Sequence, residues 1–351
     1  MPRHLRFQVF LFTLIRVIIH TSFRMVYPFL NVFAVGMGVD LSAVTLAVTA
    51  RSFGGVFGPF LASVADSRGR KAGMIIGIML YTIGVILVVF WPVYTAFFIT
   101  MVLTGLGIYV FIPSMQAYLG DQIAYEKRGF TMSITEVSWS IAFIAGIPLV
   151  GFLISRQGWF SPFPLFGLLG GIAILVLIKV LPNDPAPDQN TENVFKNLRK
   201  VLTYPPALFA FAFTMLLACG NEVVNLIFGI WMQDSFGLKI AALGATSALI
   251  GISELGGSSL SAAFVDRIGK KRAIQIGLVG IFLAALALPV FGRQVGGAMA
   301  GLFFFYICYE FTLVGSFPLI SEVMPATRAT MLAVDAAAIM LGSGVGALMA
   351  T

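Results

Sequence analysis

The chain has 351 residues, of which 59% are hydrophobic and only 11% charged, with a formal net charge of +7. A soluble domain is about a quarter charged, so this composition, with a mean hydropathy of +0.96, excludes water as the main solvent. A soluble enzyme, a nucleic-acid reader and an outer-membrane barrel, whose strands would alternate with period two, are excluded with it.

At about 20 apolar residues per membrane helix, the sequence predicts an all-α polytopic protein with eleven spans: 7–35, 41–64, 72–91, 94–118, 130–154, 163–181, 206–232, 241–264, 273–291, 296–319 and 328–351. The first lacks a small-residue cleavage site and continues for a full span, so it reads as a helix rather than a signal peptide. It carries Arg16, His20 and Arg24 at i, i+4 and i+8, a spacing that stacks all three on one helix face. The second span adds Arg51 near mid-depth, and the fifth adds Glu136 with Trp139 and Ser140. After the sixth, Pro182, Pro185 and Pro187 precede Lys196, Arg199 and Lys200; this Pro-rich polar stretch reads as a linker without a site. The seventh span holds Glu222 beside Asn221 and Asn225, the eighth Glu254, the tenth Glu310 and the eleventh Asp335. The third, sixth and ninth have no charge in their cores. The last ends without flanking charge, as expected of a chain cut short before a twelfth span.

Sorting Lys and Arg by loop puts sixteen on one side and three on the other, the remaining three being Arg16, Arg24 and Arg51. The positive-inside rule then places the N-terminus in the cytoplasm of a plasma-membrane protein. Cys219 and Cys308 lie in apolar runs, and with only two histidines no metal site, disulfide framework or cofactor is expected. No Gly-rich phosphate loop is present, so ATP is not the expected fuel.

An internal repeat organises the chain. Asp66-Ser-Arg68-Gly69-Arg70-Lys71 recurs as Asp266-Arg267-Ile-Gly269-Lys270-Lys271, 200 residues later. Thr131-Met132 is echoed by Thr330-Met331, Glu136 by Asp335, and the stretch from Asp121 to Arg128 by that from Glu322 to Arg328. Echoes at nearly one offset predict two homologous halves in parallel orientation: 1–181, a linker at 182–205, and 206–351.

These loops, Asp-x-x-Gly-(Arg/Lys)-(Arg/Lys), resemble the helix 2–3 signature of the major facilitator superfamily (MFS), and the likeness covers the whole chain. Gly146-Ile-Pro148-Leu-Val-Gly151 is similar to the family's antiporter-type motif, with one residue between Gly and Pro. Where family members carry an Arg four residues before Gly-x-Gly in helix 4, Met101 stands here before Gly105-Leu-Gly107. The resemblance implies two six-helix bundles, with spans 1, 2, 4, 5, 7, 8, 10 and 11 around a central cavity and 3, 6 and 9 outside them.

Ionisable groups at membrane depth are costly and mark functional sites. The expected substrate or proton cavity comprises Arg16, His20, Arg24, Arg51 and Glu136 from the first half, against Asn221, Glu222, Asn225, Glu254 and Glu310 from the second. Glu222, Glu254 and Glu310 have no acidic counterpart in the first half. The expected cytoplasmic gate comprises Asp66, Arg68, Gly69, Arg70, Asp121 and Arg128 with Asp266, Arg267, Gly269, Lys270, Glu322, Arg328 and Asp335, its cations pairing across the halves in one state. The leading expectation is a monomeric secondary transporter working by alternating access, with proton-coupled efflux of a small amphiphilic or cationic compound. Carriage of a zwitterionic or anionic metabolite is the alternative that the arginines favour. A membrane enzyme lacks a visible nucleophile and base, and a non-transporting sensor remains open because fold does not fix function.

Overall fold

A computed structural model describes residues 2–58, 60, 69–123, 125–182, 198–324 and 327–350 and, within these, every side chain except those of 125–130, 133, 328 and 329. Among them every regular element is a helix: α1 (Arg3–Arg24), α2 (Leu30–Met37), α3 (Leu41–Val56), α4 (Arg70–Phe90), α5 (Tyr94–Gln122), α6 (Tyr125–Ile141), α7 (Ile147–Gln157), α8 (Pro162–Val180), α9 (Pro205–Phe236), α10 (Ile240–Ile268), α11 (Lys270–Phe291), α12 (Val295–Val323) and α13 (Arg328–Met349). Ten helical stretches are long and apolar enough to cross a bilayer, and each overlaps a predicted span. The second span is described as the 16 residues of α3.

Two predicted spans are interrupted. The first breaks between α1 and α2 because Pro28 has no N–H for the Arg24 carbonyl. That carbonyl takes the Tyr27 N–H at 3.2 Å instead, which tightens the turn and leaves Tyr27 outside regular helix. The fifth contains a π-turn at Ala142–Gly146 before Pro148, where the wider turn accommodates the missing donor. Gly38, in the left-handed region at φ 66°, then reverses the chain, and α2 and α3 meet at 115°.

Lipid offers no hydrophobic drive between helices, so close packing relies on small residues. A Cβ at Gly77 of α4 would stand 2.6 Å from the Phe111 backbone nitrogen of α5, and one at Gly277 of α11 would overlap Thr312 Oγ1 of α12. These contacts lie at equivalent points of the repeat. Outside them Leu175, Phe209 and Phe282 stand exposed, as lipid-facing side chains must. Residues 198–202 form a helical turn whose Val201 is buried among Ala207, Phe211, Ile320 and Met331. The end of the 182–205 stretch is therefore anchored beneath α9, α12 and α13.

The first turns of α10 lie against α7, on the side away from the basic loops: a Cβ at Gly244 would stand 3.2 Å from Pro148 Cα. Likewise α13 packs on α3 through Gly344 and the Phe53 ring. Towards the basic side the space between these helices holds cavities.

Candidate functional site: a cavity of two chambers

Two adjoining chambers occupy that space, lined by α1, α3, α5, α6, α9, α10, α12 and α13. They share Phe23, Glu136, Trp139, Ile339 and Met340. The helices of the third, sixth and ninth spans, α4, α8 and α11, contribute no lining residue, in keeping with the absence of charge in their cores.

The wider chamber, about 560 Å³, lies nearer the basic loops. One wall is apolar, formed by Ile108 and Ile112 of α5 and by Leu332, Ala333, Ala336 and Ala337 of α13. The facing wall carries the ion pair of Arg16 and Glu136, both of whose oxygens accept from Arg16 at 2.7 Å. Thr135 also accepts from Arg16, at 3.0 Å, and Gln116 donates to Glu136 at 3.3 Å. Arg16 is buried while Glu136 is half-exposed, so the acid is the member that cargo can reach. His20 accepts a long 3.4 Å contact from Arg16 Nε through Nε2 and packs edge-on against Trp139. Its Nδ1 is buried without a partner among the described residues.

The deeper chamber, about 250 Å³, is lined by Arg24, Asn221, Glu222, Asn225, Glu254 and Glu310. Arg24 reaches across from α1 to Glu254 of α10 with two parallel bonds, 2.8 and 2.5 Å. Both side chains are almost wholly buried. The guanidinium lies 3.4 Å from the Phe143 ring centroid and 4.2 Å from that of Trp139, which adds cation–π attraction where water is excluded. Glu222 accepts from the Tyr27 hydroxyl at 2.9 Å, and Glu310 from Ser258 at 2.8 Å. Among the described residues neither has a cationic ion-pair partner. Asn225 accepts from Tyr306 at 2.6 Å, whereas the Asn221 amide oxygen is buried with no partner among the described residues.

Arg51, expected in the cavity, lies instead behind its wall and lines neither chamber. It donates to the Phe23 carbonyl at 2.6 Å and to Tyr27 Oη at 3.0 Å, with its guanidinium 3.6 Å from the Phe23 ring. The break around Pro28 supplies these partners, and helical spacing alone does not reveal it. Tyr27, which passes the Arg51 contact on to Glu222, was not anticipated for the same reason. Ser52, Tyr309 and Ser343 also line the deeper chamber and carry no charge to flag them.

Of the expected gate, Asp66 and Arg68 lie outside the described residues, as do the side chains of Arg128 and Arg328. Gly69 and Gly269 cap α4 and α11 with φ of 100° and 93°, a left-handed geometry that only glycine adopts without strain. Arg70 pairs with Asp121 at 3.2 Å, and Lys270 pairs with Glu322. In this state both pairs join neighbouring helices of one half, α4 to α5 and α11 to α12. Asp266 and Arg267 are exposed. Asp335 is buried within α13 and accepts from Thr214 of α9 at 2.7 Å, so it sits inside the second half where Glu136 sits inside the first.

The family model described as "Major Facilitator Superfamily" matches residues 12–347. The chain belongs to that superfamily. It is therefore an integral membrane transporter of small molecules and not an enzyme. The chain is similar to "Uncharacterized MFS-type transporter YwfA" of Bacillus subtilis (strain 168), 24% identical over 291 residues, covering 82% of this chain and 70% of that one. "Multidrug resistance protein 2" of the same organism is 23% identical over 246 residues, covering 67% of this chain and 60% of the other. In fold the chain resembles the crystal structure of a bacterial homologue of the human lysosomal transporter Spinster, with TM-score 0.79 and 14% identity, covering 99% of this chain and 82% of that one.

Proposed function

We propose that this MFS transporter is a monomeric, proton-coupled exporter of small amphiphilic cations, with its basic loops in the cytoplasm and its halves, 1–181 and 206–351, rocking about the two chambers. One observation carries this reading: adjoining chambers join an apolar wall to an acidic end in which Glu222 and Glu310 have no cationic ion-pair partner among the described residues. An amphiphilic cation fits both parts, and a carboxyl at membrane depth can hold a proton when the cation has left. Similarity to a protein named for multidrug resistance supports the same class. The anionic-substrate alternative needs free guanidiniums; Arg16 and Arg24 are each gripped by a carboxylate, and Arg51 lies behind the wall. The loop residues Asp66, Asp266, Arg128 and Arg328 belong, on this reading, to a gate that forms when the basic side closes.

The test is flux in proteoliposomes, with labelled 4-phenylbutylamine as cargo and an imposed pH gradient. Gradient-driven accumulation that collapses with a protonophore is expected. Glu222→Gln and Glu310→Gln are expected to abolish the gradient dependence, with substrate counterflow surviving in at least one. Wild-type pH dependence in both variants would remove these acids from the proton path.

A further inference from the structure

Resting on that reading of the cavity, we infer that the deeper chamber selects a cation bearing N–H groups, a primary ammonium or a guanidinium, and disfavours a quaternary ammonium. The chamber's volume, about 250 Å³, lies below the roughly 300–1,000 Å³ of sites that enclose a drug-sized ligand, so it receives a head group while the apolar body stays in the wider chamber. What the head group meets is a set of acceptors. The Asn221 amide oxygen is buried and, among the described residues, has no partner. Glu222 and Glu310 are both over nine-tenths buried; Glu222 is hydrogen-bonded by the Tyr27 hydroxyl and the Asn225 side chain and Glu310 by the Ser258 hydroxyl, all neutral partners, and both retain lone pairs that only a donor can use. An ammonium with N–H bonds satisfies these atoms; a trimethylated one brings charge but leaves them desolvated and unmade, the costlier outcome for a buried acceptor.

The usual means of holding a quaternary ammonium, a cage of aromatic faces, is already spent on the protein's own cations. Trp139 stacks on Arg24, and Phe23 and Tyr27 lie against Arg51. Tyr309 is the lining ring left over, and one face does not make a cage. The Arg24–Glu254 pair is the weaker attractor, because the Glu254 charge is already balanced by Arg24 and each of its oxygens takes one guanidinium bond.

Equilibrium binding to the purified full chain, read by thermal shift without any gradient, tests this with 4-phenylbutylamine, its N,N,N-trimethylammonium counterpart and 4-phenylbutan-1-ol. The amine should bind at least about tenfold more tightly than either analogue, equivalent to about 1.4 kcal/mol. Asn221→Leu should erase most of the preference over the trimethyl compound. Asn221→Asp keeps an acceptor and should retain the preference, which covers the case that the leucine variant fails to fold. Equal or tighter binding of the trimethyl compound overturns the inference, as does failure of the amine to bind at millimolar concentration. Amine-selective binding in a protein that shows no gradient-driven flux would sink the transport reading alone; flux without head-group preference would sink this one alone.

Discussion

Arg24 shows at the scale of one residue why intramembrane charge was informative. A guanidinium in a hydrocarbon-surrounded helix must find an acid, and Glu254 supplies both oxygens from the opposite half. Breaking a buried pair leaves an uncompensated charge, at a cost of about 3–5 kcal/mol. We expect Glu254→Gln to lower the thermal midpoint strongly, and Arg24→Met combined with Glu254→Met to regain most of the loss, as calorimetry or dye-based melting of the purified protein would record. Strictly additive losses would show that the pair is not a unit. The Glu136 side chain is half-exposed, so Glu136→Gln should cost less stability and act chiefly on transport. The same argument explains which site residues were legible. Arg16, Arg24, Glu222, Glu254 and Glu310 announced themselves by charge, and all five line the chambers. Arg51 carried the same signal and faces elsewhere, because its partners come from a helix break that a count of charges does not reveal.

Among elements, the interrupted first span has the clearest consequences. Apolar length marked 7–35 as a crossing, but the switch from helix to turn at Met25–Phe29 depends on Pro28 and on what packs around it. Tyr27 bridges Arg51 and Glu222 from this turn. Pro28→Ala restores a donor and lets the helix continue, which swings the Tyr27 hydroxyl out of line. That variant should fold with a lowered thermal midpoint, because buried Arg51 and Glu222 each lose a partner, and should transport more slowly, with the transport deficit reproduced by Tyr27→Phe. Wild-type flux in both variants would reduce the bridge to packing. Elements without breaks were read closely from sequence: the sixth span, predicted at 163–181, is α8, Pro162–Val180. Glycine contacts such as Gly77 on α5 were not foreseen, since a glycine in an apolar run does not say which neighbour approaches it.

For the whole molecule, the contact of α10 on α7 closes the side opposite the basic loops. Gly244→Leu would wedge these helices apart, because a Cβ there already stands 3.2 Å from Pro148 Cα. In a background lacking Cys219 and Cys308, a cysteine introduced at Ser247 should label faster from that side in the wedged variant than without it. Unchanged labelling would mean that the seam does not hold the halves. The pairing of the buried charges has an electrical consequence as well. Arg16 with Glu136 and Arg24 with Glu254 are each neutral units, so they feel almost no net force from a membrane potential, which acts on a full elementary charge with about 2.3 kcal/mol per 100 mV. Exchange of one monovalent cation for one proton then moves no net charge in either direction. A valinomycin-clamped potassium diffusion potential should leave the rate of such exchange unchanged, while doubling the charge of the cargo should make transport respond to voltage.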